Sequence, residues 1–343
     1  MQNTDEGAKS ALTAFQASQT PAGATETSAP AASQEKAKRV LYGGQAVIEG
    51  VMIRGRTQAA LAVRRPDGTI SLRALPLEAW ANGKARAYPL IRGVLVLLET
   101  LIVGMKALAI SAEVAAPEMQ AGKPAGKSSS ASMTAGLVVV LIVGLTFGVA
   151  LFFVLPLFVS RLVEPAGDIW ANLAEGLLRL TIFLVYIWAI GRMKEMRRVF
   201  GYHGAEHMAV SAHEHGQPLI ASSLKQFPTA HPRCGTSFLL TVVLVSVIVF
   251  MFVPRDPFWV TMLSRVILIP AIAALSYEFI RYSGTHLEVA WVRVVTWPNL
   301  LLQRMTTAQP DEQMMEVAIE AINHAIALDE RTAGVPDRAA SAG

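Results

Sequence analysis

Four stretches of this chain, roughly 135–160, 173–191, 236–253 and 259–280, stay apolar long enough to cross about 30 Å of hydrocarbon. That constrains the fold severely, because in lipid a segment must satisfy its backbone polar groups internally, so each reads as a helix. The composition agrees, with 52% hydrophobic residues, 16% charged residues and a mean hydropathy of +0.41. The expected class is mainly α: a polytopic membrane protein with about four transmembrane helices, an extra amphipathic or interfacial helix and a small N-terminal β-hairpin module. In the second span Glu175 and Arg179 stand i,i+4 and can pair. Arg265, inside the last span, is expected to snorkel to the outer surface.

A fifth apolar stretch, 89–113, carries Arg92, Glu99, Lys106 and Glu113 at seven-residue intervals. Seven residues are nearly two helical turns, so the four share a narrow stripe that lipid would not tolerate. The helix either lies in the interface or packs its stripe against the bundle. Arg192, Lys194, Arg197, Arg198, Lys225 and Arg233 fall between the second and third spans, whereas the other loops offer only Arg161 and Arg255. With four spans, the positive-inside rule puts both termini and the 192–235 loop in the cytoplasm of a cell (inner) membrane protein.

Outside the membrane domain (135–282), residues 1–37 are small and polar and read as a disordered tail, as does 329–343. Residues 38–88 read as a β-rich cytoplasmic module: Leu61, Val63, Ile70 and Leu72 alternate around the turn signal Pro66-Asp67-Gly68. The glycine-punctuated "GGQAVIEGVMIRG" before it suits strand and tight turn, and matches no phosphate or dinucleotide loop. A linker at 114–134 follows the 89–113 helix. Residues 283–328 read as an interfacial segment and an amphipathic helix starting at Pro310-Asp311-Glu312. The pI of about 9.3 is explained by basic residues beside the spans, and no nucleic-acid partner is expected. One cysteine, Cys234, excludes an internal disulfide.

The chemistry concentrates in "GYHGAEHMAV". On a helix His203 and His207 share a face at a separation suited to one tetrahedral metal. Glu206 stands beside them, placed to take a proton from water, in the order of the inverted zinc-peptidase motif. "HPRCGTSF" supplies His231 and Cys234, both competent zinc ligands, and Glu278 in "YEFIRY" ends the last span at the same membrane face. The competing readings are a wet helix end with surface histidines, a packed small cysteine, and a Glu278–Arg281 ion pair. His286 and Glu288 are weaker candidates, and His213 and His215 read as solvent-facing.

The motifs "GGQAVIEGVMIRG", "YHGAEH", "HPRCGTSF" and "YEFIRY", in this order among four spans, resemble the YqhQ-like family of bacterial membrane proteins, a domain of unknown function described as a predicted metal-dependent enzyme. The resemblance covers roughly 40–325. It implies functional roles for Glu49, His203, Glu206, His207, His231, Cys234 and Glu278. The family motif carries a lysine after its second histidine, where this chain has Met208.

The expectation is therefore a cytoplasm-facing zinc (or other divalent transition-metal) hydrolase. Its ligands are His203 and His207 with one or two of His231, Cys234 and Glu278. Glu206 serves as the base, and Glu49, counted with it as catalytic, lies in the glycine-rich segment 43–55 that caps the site as a lid or clamp. Its partners are the bilayer and a substrate that is a membrane protein, peptide or lipid-linked molecule; a homo-oligomer is allowed. The alternative is a scaffold or assembly protein with a structural metal site. Transport is disfavoured by the lack of an inverted repeat.

Overall fold

The computed structural model describes residues 42–77, 84–116, 130–162 and 167–333. The expected tail at 1–37, most of the 114–134 linker and the chain beyond 333 lie outside the described residues.

The N-terminal module is more than a hairpin. Strands β1 (Gly43–Val47), β2 (Gly50–Arg54), β3 (Gln58–Arg64) and β4 (Ile70–Pro76) form an antiparallel meander in chain order. The expected hairpin is β3–β4, with Arg64 opposite Ile70. Its turn is closed by Asp67 Oδ1, which accepts the Thr69 amide at 2.8 Å, and by Gly68 at φ 87°. Strand side chains alternate between faces. Val51, Ile53, Ala60 and Ala62 pack on helices α5 (Lys194–Glu214) and α10 (Glu312–Ala333). Met52, Ala59, Leu61 and Val63 meet Val103 and Ala107 of helix α1 (Ile91–Val114). The sheet is thus buried on both faces between helices, which explains its runs of small and branched residues.

Helix α1 resolves the charged stripe by splitting it. Glu99 is fully buried and bonded to Arg54 of β2 at 2.5 Å, and Arg92 pairs with Glu278. Lys106 and Glu113 are exposed. The first half of the stripe therefore packs against the rest of the chain.

Among the described residues, three helical segments are long and apolar enough to cross a membrane: Ile91–Val114, Val139–Arg161 and Asp168–Ile190. The second is built from α2 (Ser130–Val149), a π-turn at Ala150–Val154 and α3 (Leu155–Arg161); the third is α4. The pair α7 (Phe258–Ile267) and α8 (Ile269–Thr285) makes a fourth, bent by 44°. Pro270, in the first turn of α8, lacks the amide needed to continue α7. The expected span at 236–253 is shorter than read: α6 (Ser237–Met251) has 15 residues, about 22 Å of helix. Turns occupy the chain just before it, where Cys234 N–H bonds to His231 O. Side chains such as Val140, Val143 and Leu145 are exposed, which fits a lipid-facing helix.

Arg265 does not snorkel. It is fully buried, donating to both oxygens of Glu175 (2.9 and 2.8 Å) and to Asn172 Oδ1. The expected Arg179–Glu175 pair is present at 2.7 Å, and Arg255 adds a third guanidinium at 3.2 Å. A carboxylate from another helix is a closer partner for Arg265 than water at the bilayer surface.

Candidate metal centre

Helix α5 presents the site. Glu195 favours its N-terminus, and at its C-terminal end Gly216 enters the left-handed region (φ 67°), letting the Gln217 amide turn back to Ala212 O at 2.9 Å. Unlike a surface helix, α5 is buried continuously from Gly201 to Ala212, between the sheet, α10 and the chain after α9 (Ala290–Thr306). Gly204 makes this approach workable, because a Cβ there would collide with the carbonyl of Ala308.

His203 Nδ1 lies 2.8 Å from the carbonyl of Thr306, and His207 Nδ1 lies 2.6 Å from that of Thr229. A carbonyl only accepts, so both rings carry a proton on Nδ1 and turn Nε2 the other way. The His203 Nε2 stands 3.1 Å from Cys234 Sγ. His207 Nε2 is buried and has no hydrogen-bond partner among the described residues. Ligand atoms of His203, His207 and Cys234 all lie within 4.8 Å of one another. Around one zinc ion such atoms stand roughly 3.3–3.8 Å apart, so the three fit a metal with little movement. Burial also pushes the pKa of His207 down, which keeps its ring in the neutral form a metal needs.

The sulfur sits at the end of the turn before α6. It accepts the Thr236 amide at 3.3 Å, and the Thr236 hydroxyl lies 3.0 Å away.

Glu206 points into the same place, with Oε2 3.5 Å from His207 Nε2. Burial pushes its pKa up; nearby His203 and His231 and the Gly44 amide act in the opposite sense without prevailing. Gly44 of β1 bonds Glu206 through its backbone, and a Cβ at that position would lie 2.9 Å from the Glu206 side chain. The first glycines of "GGQAVIEG" thus bring a strand edge onto the site.

The remaining candidates stand around this group rather than in it. His231 is buried and its ring centroid is 5.7 Å from that of His207. Its Nδ1 accepts the Arg233 amide at 3.3 Å, so Nε2 carries the proton toward Glu214 Oε2 at 3.4 Å. Glu278 is held elsewhere, by Arg92 Nε (2.7 Å) and Nη2 (2.5 Å) and by the Leu90 amide. Its partner is therefore Arg92, not Arg281. Glu49 sits in the β1–β2 turn at φ 50° and is bound by Arg198 through both oxygens (2.6 and 2.5 Å) and by Tyr202. His215 is exposed, as expected, but His213 is half-buried edge-on to Tyr42. His286 stacks on Tyr282.

Glu214 is the site-lining residue that sequence reasoning passed over. Seven residues beyond His207, it returns to the same face of α5, and that spacing was the available signal. It bonds His231 and Arg233. Burial would push its pKa up, but the His231 hydrogen bond and the Arg233 guanidinium outweigh this and hold it below the usual carboxylate range.

The fold and this cluster define a class: a largely helical chain with several apolar helices able to span a membrane, joined to a sheet whose edge covers a buried His-His-Cys group. The chain belongs to the family described as "Protein of unknown function (DUF1385)", whose model matches residues 88–328. It is similar to "Uncharacterized protein YqhQ" of Bacillus subtilis (strain 168), 33% identical over 297 residues, which cover 84% of this chain and 93% of that protein. No solved structure matches.

Proposed function

We propose that the chain is a metal-dependent integral membrane enzyme, a hydrolase, with His203, His207 and Cys234 as ligands of a zinc or other divalent transition-metal ion. The observation that carries this is the pair of inward-facing Nε2 atoms, each fixed by an Nδ1–H bond to a backbone carbonyl, converging on one sulfur. A metal held there supplies Lewis acidity and a more acidic water. Glu206 then holds or moves the proton. Its burial raises its proton affinity toward the range a general base needs, and the Gly44 amide keeps one oxygen oriented. The Glu214–His231 pair borders the group and orients the loop that carries Cys234. The positive-inside rule puts this end of the bundle, and both termini, in the cytoplasm of an inner membrane. The substrate class is a membrane protein, a peptide or a lipid-linked molecule.

A structural metal site in a scaffold is the second reading, favoured by burial: His203, His207 and Cys234 are 7, 2 and 5% exposed. Structural zinc sites close their coordination sphere with a fourth protein ligand, here Glu206.

Mass spectrometry of bound metal on detergent-purified protein tests the common part. Wild type should carry about one ion per chain, and His203→Ala, His207→Ala and Cys234→Ser should each lose it. A metal-free wild type, purified without chelator, would end both readings.

A further inference from the structure

The turn that carries His231 and Cys234 is held by more than its own local hydrogen bonds. Its backbone is gripped from helix α9 by a single side chain, Gln303, which is fully buried. Gln303 Oε1 accepts the His231 amide at 2.8 Å, and Nε2 donates to the His231 carbonyl at 3.0 Å. That carbonyl also accepts the Cys234 amide at 3.2 Å, closing the turn. Nε2 further donates to Ser237 Oγ at 3.0 Å, in the first turn of α6. One amide group therefore ties down both ends of the segment that delivers the sulfur. The same end of α9 places the Thr306 carbonyl that orients His203.

We infer that Gln303 is a positioning residue for the metal centre: it acts through the His231 backbone to hold Cys234 Sγ against the two histidines. This rests on the metal reading for its purpose, but not for its geometry. A primary amide is the one common side chain that offers an acceptor and a donor side by side, which a backbone N–H and C=O of the same residue require. A methyl group in its place leaves both His231 groups buried without that partner. The turn then opens and the sulfur leaves its place.

Cys234 is the only cysteine in the chain and is 5% exposed, so it reports on this directly. The experiment is the maleimide labelling rate of Cys234 in the full detergent-purified chain for wild type, Gln303→Ala, Gln303→Glu and Leu302→Ala. Leu302 is an equally buried neighbour that packs in the bundle core and does not hold the turn. Gln303→Ala should label at least about tenfold faster than wild type, because it opens the turn locally. Leu302→Ala should label at the wild-type rate even where its thermal midpoint falls as far. Gln303→Glu keeps the acceptor for the His231 amide and loses the donor, so it should fall between; it also serves if Gln303→Ala does not fold. Zinc affinity, measured by competition with a chelator, should weaken by about 10–100-fold in Gln303→Ala. The sulfur-to-metal absorption of the cobalt-loaded variant should shift with it. Equal labelling of the Gln303 and Leu302 variants overturns the inference. A wild type that takes up no metal, while Gln303→Ala still unmasks Cys234, overturns the metal reading and leaves the positioning role standing. A metal-binding wild type whose Gln303→Ala variant matches it in labelling and affinity does the reverse.

Discussion

His203 Nε2 lies 3.1 Å from Cys234 Sγ, although the two residues are 31 positions apart and belong to different elements. The contact exists because α5 and the turn before α6 are both pinned to the end of α9, through the Thr306 carbonyl and the Gln303 amide. Ligands held this firmly should make a site whose metal stabilises the fold. Adding zinc to metal-stripped wild type should raise its thermal midpoint, by about 2.7 kcal/mol of stability at a free concentration 100 times Kd. The same addition should leave Cys234→Ser unchanged in a thermal scan.

Gly44 is expected to be intolerant of any side chain. A Cβ there would meet Glu206 at 2.9 Å while its amide still has to reach the Glu206 carboxyl. Because the obstacles are the Met52 carbonyl, at 2.5 Å, and a buried side chain inside a strand–helix contact, Gly44→Ala should cost roughly 1–3 kcal/mol, in the range of overpacked cores. Gly43, where a Cβ would meet nothing, should accept alanine with little change. Chemical denaturation of the two variants side by side checks this.

Much of this was legible beforehand, and the failures have one physical source. His203 and His207 could be read as a pair because helical spacing places i and i+4 together, and the β3–β4 hairpin because its turn chemistry is local. What could not be read was which distant charge answers which. Glu278 is taken by Arg92, 186 positions away, and Arg265 by Glu175, 90 positions away. Periodicity carries no information on such pairs. The orienting carbonyls of Thr229 and Thr306 were invisible for a different reason, since every residue has a carbonyl.

The turn at Glu49 should loosen in acid. The hydrogen bond from Arg198 leads in holding the Glu49 pKa below its ordinary value of 4.5, with burial opposing it. A carboxyl whose folded pKa is depressed stabilises the fold above its unfolded pKa and loses that contribution as pH falls through the folded value. The stability difference between wild type and Glu49→Gln should therefore be constant above about pH 5 and shrink below pH 4.5. Denaturation midpoints measured across pH 3–7 would show it; a difference that grew in acid would contradict the assignment.

Glu175 should be the most sensitive position in the bundle. Among the described residues it is the one carboxylate contacting three guanidiniums, Arg179, Arg255 and Arg265, all under 9% exposed. Removing one partner of a buried ion pair typically costs about 3–5 kcal/mol, since the remaining charge stays buried. Glu175→Ala should cost at least that. Adding Arg265→Leu to Glu175→Ala should recover part of the loss, so that the two changes are strongly non-additive. Thermal midpoints of the two single variants and the double variant, in one detergent, decide it.

Glu206→Gln separates the two readings of the metal centre. Burial pushes the Glu206 pKa up and so favours its neutral form, and a neutral amide of the same shape should fold. The glutamine also keeps an oxygen for the Gly44 amide. If Glu206 is a base, metal content stays at the wild-type value while hydrolysis of any accepted substrate falls by about 10²–10⁴-fold. If Glu206 is instead the fourth ligand, the amide oxygen is a poorer donor to zinc, and affinity should fall with no activity to lose. Metal content of the variant, measured beside His207→Ala, gives the answer before a substrate is known. Full retention supports the base, and loss comparable to that of the histidine variant supports the closed structural site.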